Sequence, residues 1–81
     1  MTIIDDFLHL GFDKQKGIRL GRDIETFRKK KGFDRREFAK LVGISEEYLR
    51  KIEGGYFPGI KTIVRIATAL DVAVEILLKG D

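Results

Sequence analysis

The chain has 81 residues, 43% of them hydrophobic and 36% charged, with a net charge of +3. That length supports one small hydrophobic core and not two, and the balance of apolar to charged residues is that of a folded chain. With no cysteine, a single histidine at His9 and a single serine at Ser45, the composition excludes disulfides, thiolate metal sites, cysteine nucleophiles, multi-histidine metal spacings and a serine–histidine constellation.

The opening stretch, MTIIDDFLHL, sets acids among its apolar positions and lacks the basic start of a secretory signal. No run approaches the ~18 apolar residues of a membrane span, so a cytoplasmic protein is expected. Ile3, Ile4, Phe7 and Leu8 share one helical face, with Thr2 placed to cap the start and Gly11 the end. This predicts a short extra N-terminal helix, and FDKQKG after it reads as a loop. Residues 1–18 are therefore set apart as an N-terminal segment and residues 19–81 as the main domain.

Leu20, Ile24 and Phe27 then recur at helical spacing, which predicts an amphipathic helix over Arg19 to Lys31, stopped at Gly32. Asp34 opens the next, with Glu37 three residues on as a capping-box partner and Phe38, Leu41 and Val42 as its inner face. Gly43 supplies a turn, and Ser45 caps a third helix whose buried side is Leu49 and Ile52. After GGYFPG, Ile60, Ile63, Ile66, Ala67 and Leu70 mark a fourth, and Val74, Leu77 and Leu78 a short last one. The fold class is all-α: a bundle of five helices plus the extra N-terminal one.

The positive charge is concentrated. Met1 to Ile18 nets −1, and Asp34 to Gly55 and Tyr56 to Asp81 are each neutral. Arg19 to Phe33 has six Lys or Arg against two acids. The excess around RKKKGFDRR has the form of a solvated helix end and also of a phosphate-binding patch.

From Arg35 to Glu53 the parts act as a unit. Ala39 permits close helix crossing, Gly43 makes the turn, and Phe38, Val42, Ile44, Leu49 and Ile52 supply a shared core. The outer side of the second helix stays free, which is a helix-turn-helix. On FRKKKGFDRREFAKLVGISEEYLRKIEGG and the later PGIKTIVRIATALDVAVEILL, the chain resembles the Cro and phage-repressor (XRE) family of DNA-binding domains over about residues 19 to 78. The resemblance implies a repressor-type helix-turn-helix bundle acting as a homodimer on a palindromic operator. Asp34 to Val42 would be the positioning helix and Ser45 to Gly54 the recognition helix, and a largely buried Arg28–Glu53 ion pair would hold the helices together.

Three departures from the family pattern bear on the site. Arg35 stands where relatives often have a phosphate-touching glutamine, and is the stronger donor. Glu46 and Glu47 lead the recognition helix, and the following loop, GYFPG, is short and largely apolar. Acids in a first turn stabilise the positive end of a helix by ~0.3 to 1 kcal/mol each; they can also accept from cytosine N4. With no Asn or Gln in that helix, base reading falls to Arg50 or Lys51 on guanine, Glu46 or Glu47 on cytosine, and Tyr48 against a thymine methyl. Phosphate binding is expected from Arg35, Arg36, Lys30, Lys31, Lys40 and Ser45.

A second copy would be needed for a full operator. Ile76, where relatives tend to be polar, and the N-terminal Ile4 and Phe7 are the expected contacts, the N-terminal face having core capping as its other use. The expected function is a sequence-specific regulator of transcription, a repressor or operon controller that is not an enzyme and needs no cofactor or metal. The competing reading is a protein-interaction module on the same scaffold, an antitoxin-like inhibitor or coactivator-type adaptor with a protein partner.

Overall fold

The computed structural model describes the backbone of residues 2–79 and the side chains of residues 14–79. The described residues form five helices: α1 (Thr2–Lys30), α2 (Arg35–Val42), α3 (Glu46–Glu53), α4 (Ile60–Leu70) and α5 (Val74–Lys79). Among the described residues there is no strand, and no helix is long and apolar enough to cross a membrane.

The capping residues behave as their chemistry dictates. Asp34 Oδ1 accepts from the Glu37 N–H at 2.7 Å while the Asp34 N–H donates to Glu37 Oε1 at 3.1 Å, closing the capping box of α2. Gly43 ends α2 at φ 88° and ψ 31°, a left-handed state that costs glycine nothing. Ser45 Oγ accepts from the Tyr48 N–H at 3.0 Å and starts α3. Asp71, at φ 59°, closes α4 in the left-handed conformation that Asp tolerates better than most residues.

One core runs through the bundle. Leu20 and Ile24 of α1 meet Phe38 and Val42 of α2, Leu49 and Ile52 of α3, Ile63, Ile66 and Leu70 of α4, and Leu77 of α5, all buried. Three residues assigned to inner faces by spacing lie outside it: Leu41 is 56% exposed, Ile60 58% and Leu78 38%. Each sits at the edge of its apolar stripe, where a helix in contact on one side only leaves it in water.

The main correction concerns residues 12–17, read as a loop. The chain instead runs helical without a break from Thr2 to Lys30, so the 18/19 junction falls inside α1 and the extra N-terminal helix is its first part. Lys14, Gln15 and Lys16 are good helix formers, and a glycine within a helix costs only about 1 kcal/mol. At Gly17 that cost has a purpose: a Cβ there would run into the Gly55 carbonyl, and one at Gly21 into the carbonyls of Ile52 and Glu53. These two buried glycines, one turn apart, let α1 lie directly against the end of α3.

Candidate nucleic-acid interface

The turn between α2 and α3 is tied down by its own backbone. The Gly43 N–H donates to the Ala39 carbonyl at 2.9 Å and the Ile44 N–H to the same carbonyl at 3.0 Å. Ile44 packs on the core beside Ala39, which is 2% exposed. With Leu49 and Ile52 turned inward, α3 leaves Glu47, Arg50 and Lys51 exposed on its other side.

The far end of α3 is fixed by charge. Glu53, its side chain 3% exposed, accepts from Arg28 Nε at 2.7 Å and Arg28 Nη2 at 3.2 Å. Arg28, 4% exposed, also donates from Nη1 to the Phe33 carbonyl at 2.8 Å. The fork satisfies both carboxylate oxygens, the condition under which a buried ion pair is tolerated. Among the described residues no buried side-chain polar atom lacks a partner.

Arg35 joins this network: its Nε donates to Glu53 Oε1 at 3.0 Å and its Nη2 stands 4.0 Å from Glu25 Oε2. The expectation of a free phosphate donor is thus qualified, because one face of the Arg35 guanidinium is engaged and its side chain is 30% exposed. Glu25 also pairs with Lys29 at 3.2 Å. Lys29, by hydrogen bond and charge, holds the Glu25 carboxyl below its ordinary value, with Arg28 and Arg35 adding to the effect and burial opposing it.

The remaining candidates divide. Arg36, Lys30, Lys31, Lys40 and Ser45 are exposed, at the end of α1, on α2 and at the start of α3. Glu46 is half-buried and accepts from Arg50 Nη2 at 3.3 Å, so two expected base readers partly neutralise each other. Tyr48 is half-buried, packed on the core and against the Tyr56 ring at 5.9 Å between centroids. Lys51 Nζ lies 4.5 Å from the centroid of Tyr56. Ile76 is 45% exposed on α5; the side chains of Ile4 and Phe7 lie outside the described residues. Among the described residues no group of His, Cys, Asp or Glu side chains could hold a metal ion.

The sequence offers Tyr56 as a protein-facing residue or a seal of its loop, not as a partner of Lys51, and it does not single out Glu25 or the Gly17 and Gly21 pair. The four-residue glycine spacing was a visible signal for the last, and the Glu25–Lys29 pair at i,i+4 was another; the approach of Arg35 to Glu25 and of the Lys51 ammonium to the Tyr56 ring needs the fold.

Residues 24–77 match the family model described as Helix-turn-helix. The chain is 40% identical over 62 residues to the ImmF control region 10 kDa protein of Bacillus phage phi105, a match covering 75% of this chain and 69% of that protein. It is 34% identical over 61 residues to the HTH-type transcriptional regulator SinR of Bacillus subtilis (strain 168), covering 73% of this chain and 55% of SinR. Among solved structures, the P22 c2 repressor protein in complex with a synthetic operator superimposes with a TM-score of 0.71 at 28% identity, covering 76% of this chain and 96% of that one. The restriction-modification controller protein C.AhdI from Aeromonas hydrophila gives 0.70 at 28% identity, covering 74% and 92%. With its turn, its buried Arg28–Glu53 clamp and these likenesses, the chain belongs to the Cro and phage-repressor (XRE) type of helix-turn-helix transcription regulators.

Proposed function

We propose that the chain is a cytoplasmic, sequence-specific double-stranded DNA-binding regulator, a repressor or operon controller, that grips a palindromic operator as a homodimer. The observation that carries this reading is the fixing of α3 at both ends, by Ser45 and by the Arg28–Glu53 pair, with Glu47, Arg50 and Lys51 left outward. Arg36, Lys30, Lys31 and Lys40 flank it as exposed cations. Likeness to a repressor solved on its operator supports the reading.

In this account phosphate neutralisation supplies affinity. The exposed cations provide it, joined by Ser45 and by the N–H groups of Arg35 not engaged with Glu53. Base edges are read from α3: Arg50 or Lys51 donates to guanine O6 and N7, Glu46 or Glu47 accepts from cytosine N4, and Tyr48 touches a thymine methyl. The second copy joins through Ile76 and the N-terminal part of α1 with Ile4 and Phe7.

The acidic first turn of α3, with Tyr56 45% exposed nearby, favours a second reading, a protein-interaction module such as an antitoxin-like inhibitor or adaptor. Selection from a random duplex library separates the two. The regulator returns two inverted half-sites about one helical turn, ~34 Å, apart or a multiple of it; an interaction module enriches no motif.

A further inference from the structure

Beyond α3 the chain turns back and sets an aromatic ring against one of its outward cations. Gly55 takes φ 124°, a conformation open to glycine and to few other residues. The reversal lets the Tyr56 N–H donate to the Lys51 carbonyl at 3.1 Å, so Tyr56 is tied by its backbone to the residue whose ammonium its ring meets. Lys51 Nζ lies 4.5 Å from the ring centroid. Tyr48, three residues before Lys51, abuts the same ring at 5.9 Å and 57°. Tyr56 remains 45% exposed, so its ring is not needed to fill the core.

We propose that Tyr56 is a positioning residue for base recognition: its ring holds the Lys51 ammonium in one place so that Lys51 donates to guanine O6 and N7 at one base pair of each half-site. This rests on the DNA-reading function proposed above and deepens it. A lysine on a free four-carbon stem spreads over many rotamers, and fixing it on binding costs affinity. The ring removes part of that cost in advance. A cation–π contact also leaves the ammonium N–H groups available for base acceptors. Arg50 differs, since its Nη2 is turned to the Glu46 carboxylate at 3.3 Å, which partly neutralises it and leaves fewer of its N–H groups for a base. Lys51 is therefore the cation held ready, and the loop GYFPG, unusually apolar for this place, supplies the platform.

The test compares the full chain with Tyr56→Leu, Tyr56→Phe and Lys51→Met by random-duplex selection and by affinity for the selected and a scrambled duplex. Tyr56→Leu is expected to weaken binding of the selected duplex about three- to tenfold and to flatten the guanine preference at one base pair per half-site, the same pair that Lys51→Met flattens. Binding of the scrambled duplex and the salt slope stay unchanged, because the charge of Lys51 is retained. Tyr56→Phe keeps the ring and the wild-type preference. An unaltered preference in Tyr56→Leu, flattening at a different pair, an equal loss on the scrambled duplex, or a Tyr56→Phe protein that behaves like Tyr56→Leu overturns the positioning role while leaving DNA reading intact. Failure of the wild-type chain to bind any duplex at low salt overturns both.

Discussion

At the scale of single residues, two carboxylates of the same helix stand in opposite surroundings. Glu53 faces Arg28 and Arg35 with its side chain 3% exposed, whereas Glu47 is in water. Glu53→Ala removes the partner of a buried guanidinium and should cost about 3–5 kcal/mol; Glu47→Ala should cost no more than about 1 kcal/mol, the share of a first-turn acid. Thermal denaturation followed by circular dichroism checks both, a small domain losing roughly 4–8 °C per kcal/mol. Glu25 gives a pH signature. Lys29 holds its folded carboxyl below the ordinary 4.5, so its contribution is present above that value and fades as pH falls through the lower folded one. The acid limb of a stability profile should be shallower for Glu25→Gln than for the wild type. The Arg28–Glu53 pair was legible through the family resemblance. The share of Arg35 in it was not, because residues apart in sequence showed no sign of converging on one carboxylate.

At the scale of elements, apolar spacing found α2 to α5 and the capping residues found the start of α2 and of α3. Punctuation by glycine was the ambiguous signal: Gly43 ends a helix, while Gly17 lies inside one. At Gly17 the close approach of the Gly55 backbone, far along the chain, leaves no room for a side chain; the four-residue spacing of Gly17 and Gly21 hints at such a contact and does not name its partner. Spacing also placed Leu41, Ile60 and Leu78 too deep, since periodicity gives the direction of a side chain and not the extent of the surface covering it. In an open helix Gly→Ala stabilises by about 1 kcal/mol. Gly21→Ala should do the reverse, lowering stability by roughly 1–3 kcal/mol, as its Cβ pushes α1 off the end of α3. A raised melting temperature for Gly21→Ala would contradict the close approach.

At the scale of the whole molecule, one domain presents one α3, and a palindromic operator needs two. Ile76, at 45% exposure on α5, offers an apolar side chain that the monomer does not use. Ile76→Asp should leave the fold intact, because little buried area is lost, and convert a dimer into a monomer by sedimentation at roughly tens of micromolar. It should also reduce operator affinity far more than affinity for a single half-site. A wild-type chain already monomeric under those conditions would remove the homodimer from the account. The candidate site was largely visible in the sequence as a set of residues. How they are held, with Arg50 against Glu46, Lys51 against Tyr56 and Arg35 against Glu53, became visible only in the fold.

If the outward side of α3, acids included, seats in a major groove while neighbouring cations take the phosphates, binding must depend on both salt and sequence. Salt titrated against binding of the chain to its selected duplex and to a scrambled one reads both. Log affinity should fall linearly with log salt, by about 0.9 for each phosphate neutralised, and the selected duplex should be bound at least about 10³-fold more tightly than the scrambled one. No duplex binding at low salt, or equal binding of the two sequences at every salt concentration, would contradict it.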